Sequence, residues 1–168
     1  MSGAAWGEGA SGPDERLRLH LVRVLDGRNA HVDFEGAVAD LPAALRGRRP
    51  EGMPHSPWEV LEHLRIAQEE ILEFSRRPDW TSPAWPEGCW PAGPKPPDDG
   101  AWDRSLDGFR SDLAAMKELV LDPEHDLYQP FPWGEGETLL REALLLADHN
   151  AYHLGELVAV RRMLGAWP

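Results

Sequence analysis

Cysteine is almost absent from this chain: Cys89 is the only one in 168 residues. That excludes an intramolecular disulfide and a cysteine-rich zinc site. Strand signals are equally scarce, because no period-2 run of Val, Ile and Thr appears, and a sheet-based fold is excluded with them. The longest apolar stretch, "ALLLA" at 143–147, is far short of the ~20 residues that span a bilayer. The opening "MSGAAWGEGASGPDER" has neither a basic n-region nor an apolar h-region, so residues 1–13 read as a flexible tail and not as a signal peptide. Basic residues are the minority, 17 Lys and Arg against 29 Asp and Glu, for a net charge of −12. Such a field repels a phosphate backbone and an anionic membrane surface, which argues against nucleic acid and membrane as partners. No glycine-rich phosphate loop is present, which argues against nucleotide chemistry. These absences leave one cytoplasmic domain over 14–168, a length sufficient for one real core.

Helix signals are abundant. "DERLRLHLVRVL" (14–25) spaces Leu17, Leu21 and Val24 along one face. After "DGRN" a shorter helix runs through "VDFEGAVADLP" and Pro42 closes it. A second main helix opens at "SPWE", where Ser56 can cap, Pro57 takes the first helical position and Glu59 completes a capping box. Val60, Leu64, Ala67, Ile71 and Phe74 line its face until Pro78. A third main helix spans 101–121, with Asp98 or Asp99 near its start and Leu106, Phe109, Leu113, Met116 and Val120 on one side. The fourth runs from 138 to 164 and Gly165 ends it. Between the second and third, residues 78–100 hold seven prolines and three tryptophans. So much proline excludes a regular element, while Trp80, Trp85 and Trp90 argue for an ordered loop lying on the bundle or on a second subunit. The fold expected is all-α, a four-helix bundle with this long Pro/Trp-rich loop between helices two and three.

In the fourth helix, "DHNAYHLGEL" (148–157) places His149 and His153 four residues apart, about 40° around the helix, so that both rings can reach one point. They sit at the shoulder of the apolar stripe of Leu139, Ala143, Leu146, Leu154 and Leu157, with Glu142 and Glu156 on the same shoulder. His63 holds the corresponding place on the second helix. Three imidazoles from two bundle helices make a metal site with open coordination positions. The alternative is three partly buried histidines making ordinary hydrogen bonds. The pair lacks the H-E-x-x-H glutamate of the zincins. Asn150 stands in its place and reads as a core amide bonded across to another helix. His20, His55 and His125 are assigned surface or loop roles, and His31 is a reserve ligand. No separate nucleophile is evident, since Cys89 lies in the Pro/Trp loop without histidine spacing.

"HSPWEVLEHLRIAQEEILEFSR", "WPEGCWP" and "TLLREALLLADHNAYHLGELVAVRRMLGAW" together resemble the DinB-like (damage-inducible) superfamily, which includes the YfiT-like metal-dependent proteins. The resemblance implies a four-helix bundle and carries a three-histidine metal site onto His63, His149 and His153. It further implies zinc or nickel as cofactor, a homodimer, and, in some relatives, transferase or isomerase chemistry on a low-molecular-weight thiol.

Two functions follow as expectations. In one, the metal activates a thiol or water toward an electrophilic small molecule, making a thiol transferase or hydrolase, with Glu142 and Glu156 orienting imidazoles or moving protons. In the other, the protein is a non-catalytic, stress-related metal-binding homodimer. Leu144, Leu145, Tyr152, Ala159 and Met163 form a second apolar side of the fourth helix, to be covered by the Pro/Trp loop or by another subunit.

Overall fold

The computed structural model describes residues 12–167. It holds five α-helices and, among the described residues, no β-strand: α1 Pro13–Leu25, α2 Phe34–Val38, α3 Pro57–Arg76, α4 Ala101–Leu121 and α5 Leu139–Met163. The tail expected over 1–13 lies outside the described residues, apart from its last two; Pro13 already belongs to α1. No described helix is long and apolar enough to cross a membrane.

Local chemistry sets the ends of the helices. Ser56 accepts the Glu59 amide while the Glu59 carboxylate accepts the Ser56 amide, so the capping box closes and α3 starts at Pro57. Thr138 caps α5 by accepting the Arg141 amide at 3.2 Å. Asp98 accepts the Gly100 amide at 2.9 Å just ahead of α4. Gly165, at φ 68°, turns the chain out of α5 where a residue with a Cβ would be strained.

Helix α3 packs on both α4 and α5, and α1 closes the opposite side against the same two helices. The buried residues form two clusters. One gathers Phe34, Trp58, Leu61, Leu64, Phe109 and Leu157, the other Leu21, Leu25, Leu72, Met116, Leu139 and Leu146. On α1 the expected face is shifted: Val24 is 45% exposed and Leu25 is in the core. The buried stripe of this helix is Arg18, Leu21, Leu25, and a face centred there turns position 24 toward solvent.

Two buried arginines tie loops to helix ends. Arg18 donates to the carbonyls of Val120, Asp122 and His125 at 2.8, 2.9 and 2.8 Å, satisfying the C-terminus of α4 with a positive charge. Arg161 on α5 donates to the carbonyls of Ala37, Ala39 and Ala166 and fixes both the end of α2 and the turn that follows α5.

From Arg77 to Gly100 the only helical piece is a 3₁₀ turn, Glu87–Cys89. This segment folds back over α3. Trp80 and Ser82 both donate to Glu70, Cys89 is buried, and Ser56 donates to the Pro94 carbonyl at 2.6 Å. Trp85, by contrast, is 78% exposed.

Candidate metal centre

The two core faces of α3 and α5 meet where His63 and His153 are buried and His149 is half-buried. Nε2 of His63 lies 3.2 Å from Nε2 of His153 and 3.1 Å from Nε2 of His149. One ligand nitrogen from each of the three falls within 4.8 Å of the others, and no fourth His, Cys, Asp or Glu joins them among the described residues. The i, i+4 spacing brings the two α5 rings together, and α3 supplies the third from across the interface.

The outer nitrogens settle which way the inner ones face. Nδ1 of His63 is 2.6 Å from the Cys89 carbonyl oxygen, which can only accept, so Nδ1 carries the proton. Nδ1 of His153 donates to Glu156 Oε2 at 2.9 Å. In the neutral form, each of these rings then points an Nε2 lone pair at the other across 3.2 Å. Two facing acceptors cannot bond to each other; a cation or an extra proton has to lie between them. An extra proton is disfavoured, since burial lowers the pKa of His63 and, with its imidazole neighbours, lowers that of His149 to about 4. A transition-metal ion fits. Ligands at about 2.0–2.1 Å in tetrahedral geometry stand about 3.3 Å from one another, close to both short separations seen here. The three histidines can therefore hold a divalent metal.

Around the imidazoles, the Pro/Trp segment and the start of α3 form a shell. The Trp90 ring stacks on His63 with centroids 3.8 Å apart and planes within 1°. It also stacks on His55 at 4.0 Å. Glu156 accepts from His153 with one oxygen and from His55 Nδ1, at 2.8 Å, with the other. Burial pushes the Glu156 carboxyl up, but its two imidazole partners outweigh this and hold it below the usual range. Nδ1 of His149 and Oδ1 of Asn150 are buried without a bonding partner of adequate geometry.

Residues 28–157 match the family model of the DinB superfamily. The chain belongs to the DinB superfamily. It matches no curated protein and no solved structure. Membership and the three-histidine cluster are together compatible with metal binding.

Several expectations need correction or completion in this DinB-superfamily chain. Glu142 does not assist the imidazoles: it is 2% exposed and paired with Arg141, two turns before His149 on α5. Burial raises its carboxyl above the ordinary range. His31 does not act as a reserve ligand, being exposed with its Nδ1 turned to its neighbour's carbonyl, Val32 O, at 2.8 Å. His55, assigned to a loop role, stands against Glu156 and Trp90. Its only local signal was its place before the Ser56 cap. Asn150 bonds across to α3 as expected, Nδ2 donating to Gln68 Oε1 at 3.1 Å and Gln68 Nε2 to the Phe109 carbonyl at 2.6 Å, but with Oδ1 unpartnered it is not a fully satisfied core amide.

Proposed function

We propose that His63, His149 and His153 hold one divalent transition-metal ion, zinc or nickel, and that the protein is a metal-dependent enzyme acting on a low-molecular-weight thiol. The observation that carries the reading is the 3.2 Å approach of two Nε2 atoms whose protons are committed elsewhere. Three neutral ligands leave the charge of an ion undiminished and positions open, whereas structural sites close with four protein ligands. When bound, such an ion supplies Lewis acidity, lowering the pKa of a coordinated thiol or water toward neutrality.

The chain's own residues supply orientation. Glu156 and the Cys89 carbonyl fix the His153 and His63 tautomers. His55 is one step outward, bonded to Glu156 and more exposed than His63 and His153, which suits it to pass a proton between the Glu156 carboxylate and solvent. Trp90 keeps water from one face of His63. A hydrolase acting through bound water is the same reading with a different nucleophile. The four long helices are assigned as the superfamily's four-helix bundle, and residues 78–100 as a long loop over the metal site.

The exposed side of α5 supports a homodimer, with or without catalysis. Leu144, Tyr152 and Met163 are 48%, 73% and 54% exposed and share that side. The Tyr152 ring meets His153 edge-on at 4.9 Å, so a partner seated there would lie beside the site.

Elemental analysis of untagged protein tests the metal, with His63→Ala/His149→Ala/His153→Ala as reference. About one transition-metal ion per native chain and none in the variant is expected. Turnover of a thiol with an electrophile, abolished in His149→Ala, then separates the enzyme from the non-catalytic dimer. Empty protein after incubation with zinc and nickel refutes the site.

A further inference from the structure

Away from the histidines, a cleft of about 780 Å³ opens between the turn that follows α2 and the chain entering α4. That volume is in the range of small-molecule sites. The cleft's charge runs against that of the whole chain. Arg46, Arg48, Arg49 and Lys95 line it, in a protein whose net charge is −12. None of the three clustered histidines does.

Some of these charges are already committed. Arg49 pairs with Glu59, and among the acidic wall residues Asp98 pairs with Arg104 at 2.7 Å. Asp99 remains as an exposed carboxylate. Arg46, Arg48 and Lys95 make no ion pair among the described residues, so three free cations face one free carboxylate.

Two of the three are held in place. The Arg46 guanidinium lies 4.8 Å over the ring of Trp102, which is 2% exposed, and the Arg46 carbonyl accepts the Trp58 amide at 2.7 Å. Its Nε is buried and has no acceptor. Its two Nη groups, which bond to nothing among the described residues and are not buried, are the donors left to a ligand. Lys95 is fixed at its root: a Cβ on Gly47 would come within 2.9 Å of the Lys95 Cα, so the two walls touch there and only glycine fits.

We propose that this cleft binds a small molecule through a phosphate monoester group. Planar guanidinium donors pair with phosphate oxygens two at a time, and a lysine adds a point charge. A dianion is the charge that offsets the local excess of two. Prior stacking of Arg46 on Trp102 reduces the ordering cost of binding. The site is independent of the metal centre.

The test is an NMR titration of the full chain with phenyl phosphate at constant ionic strength. Saturable shifts are expected at the Gly47 and Gly100 amides and at Arg46 Nε–H, with half-saturation at or below about 1 mM. Arg46→Met and Lys95→Met weaken binding about tenfold each, as loss of a charged hydrogen bond does. Lys95 is exposed, so that variant keeps its fold even if Arg46→Met does not. Arg110→Met, an exposed arginine outside this cleft, and His149→Ala leave the titration unchanged. Shifts linear in concentration, shifts reproduced by phenol or succinate, or undiminished affinity in Lys95→Met overturn the proposal.

Discussion

Replacing Glu156 tests the tautomer argument more sharply than removing a ligand does. Its two oxygens accept from His153 Nδ1 at 2.9 Å and from His55 Nδ1 at 2.8 Å. Glu156→Gln keeps the shape but offers one acceptor and one donor. The amide oxygen will turn to His153, because His55 can swap tautomers without disturbing the cluster, whereas His153 cannot. Moving the His153 proton to Nε2 would remove the lone pair that faces His63. The cost of Gln is then mainly the lost charge behind His153, about tenfold in metal affinity or ~1.4 kcal/mol. Glu156→Leu removes the acceptor altogether and leaves a buried N–H unpaired, so about a hundredfold loss, ~2.7 kcal/mol, is expected. His55→Ala leaves the His153 bond intact and should cost less than either.

Zinc affinity measured by competition with a chromogenic chelator at neutral pH gives the series directly. The expected order of weakening is Leu, then Gln, then the His55 variant. Equal affinity in native and Glu156→Leu protein, with circular dichroism showing both folded, would refute the claim that Glu156 fixes the ligand tautomer.

Other consequences can be checked by equilibrium unfolding and sedimentation. In metal-free protein, His149 titrates at about 4 because of burial and its imidazole neighbours. The unfolded chain takes the proton near 6.5, so this group's contribution is intact above that pH and is lost as pH falls toward 4, up to ~3 kcal/mol by urea unfolding. Arg161→Met strips donors from three carbonyls, those of Ala37, Ala39 and Ala166, and should cost about 3 kcal/mol in the same assay. Gln68→Leu and Asn150→Leu each leave a buried polar partner unsatisfied and should cost about 1–3 kcal/mol, with the double variant costing less than the sum. If the proposed homodimer forms through the exposed side of α5, native protein sediments as a dimer and Tyr152→Asp, which puts a charge there, as a monomer; a native monomer, or a dimer unchanged by the substitution, refutes that interface.

What could be read along the chain was what depends on short separations. Ser56, Pro57 and Glu59 fixed the start of α3 because a capping box is complete within four residues. His149 and His153 announced their convergence because helical spacing alone puts them on one side. Their meeting with His63 needs α3 and α5 to bury adjacent faces in register, a pairing that the resemblance to the superfamily implies and that apolar stripes alone leave open. The error over Glu142 has the same source: spacing put it on the histidine shoulder, but a shared shoulder two turns away is beyond the reach of a carboxylate.

Elsewhere the deciding contacts cross long stretches of chain. Nothing near Cys89 in sequence marks its carbonyl as the acceptor for His63, because a backbone oxygen has no residue code and the contact spans 26 positions. His55 and Glu156 are 101 positions apart, and each looks like a solvated surface group until the fold pairs them and Trp90 stacks on His55. The Pro/Trp segment, irregular for want of amide donors, supplies both the carbonyl that orients one ligand and the ring that stacks on it. The three histidines are thus written in helical periodicity, while the proton positions of His63 are set by a segment that has none. Variation between 78 and 100 should therefore tune metal affinity and the acidity of whatever is bound, with the three histidines left unchanged.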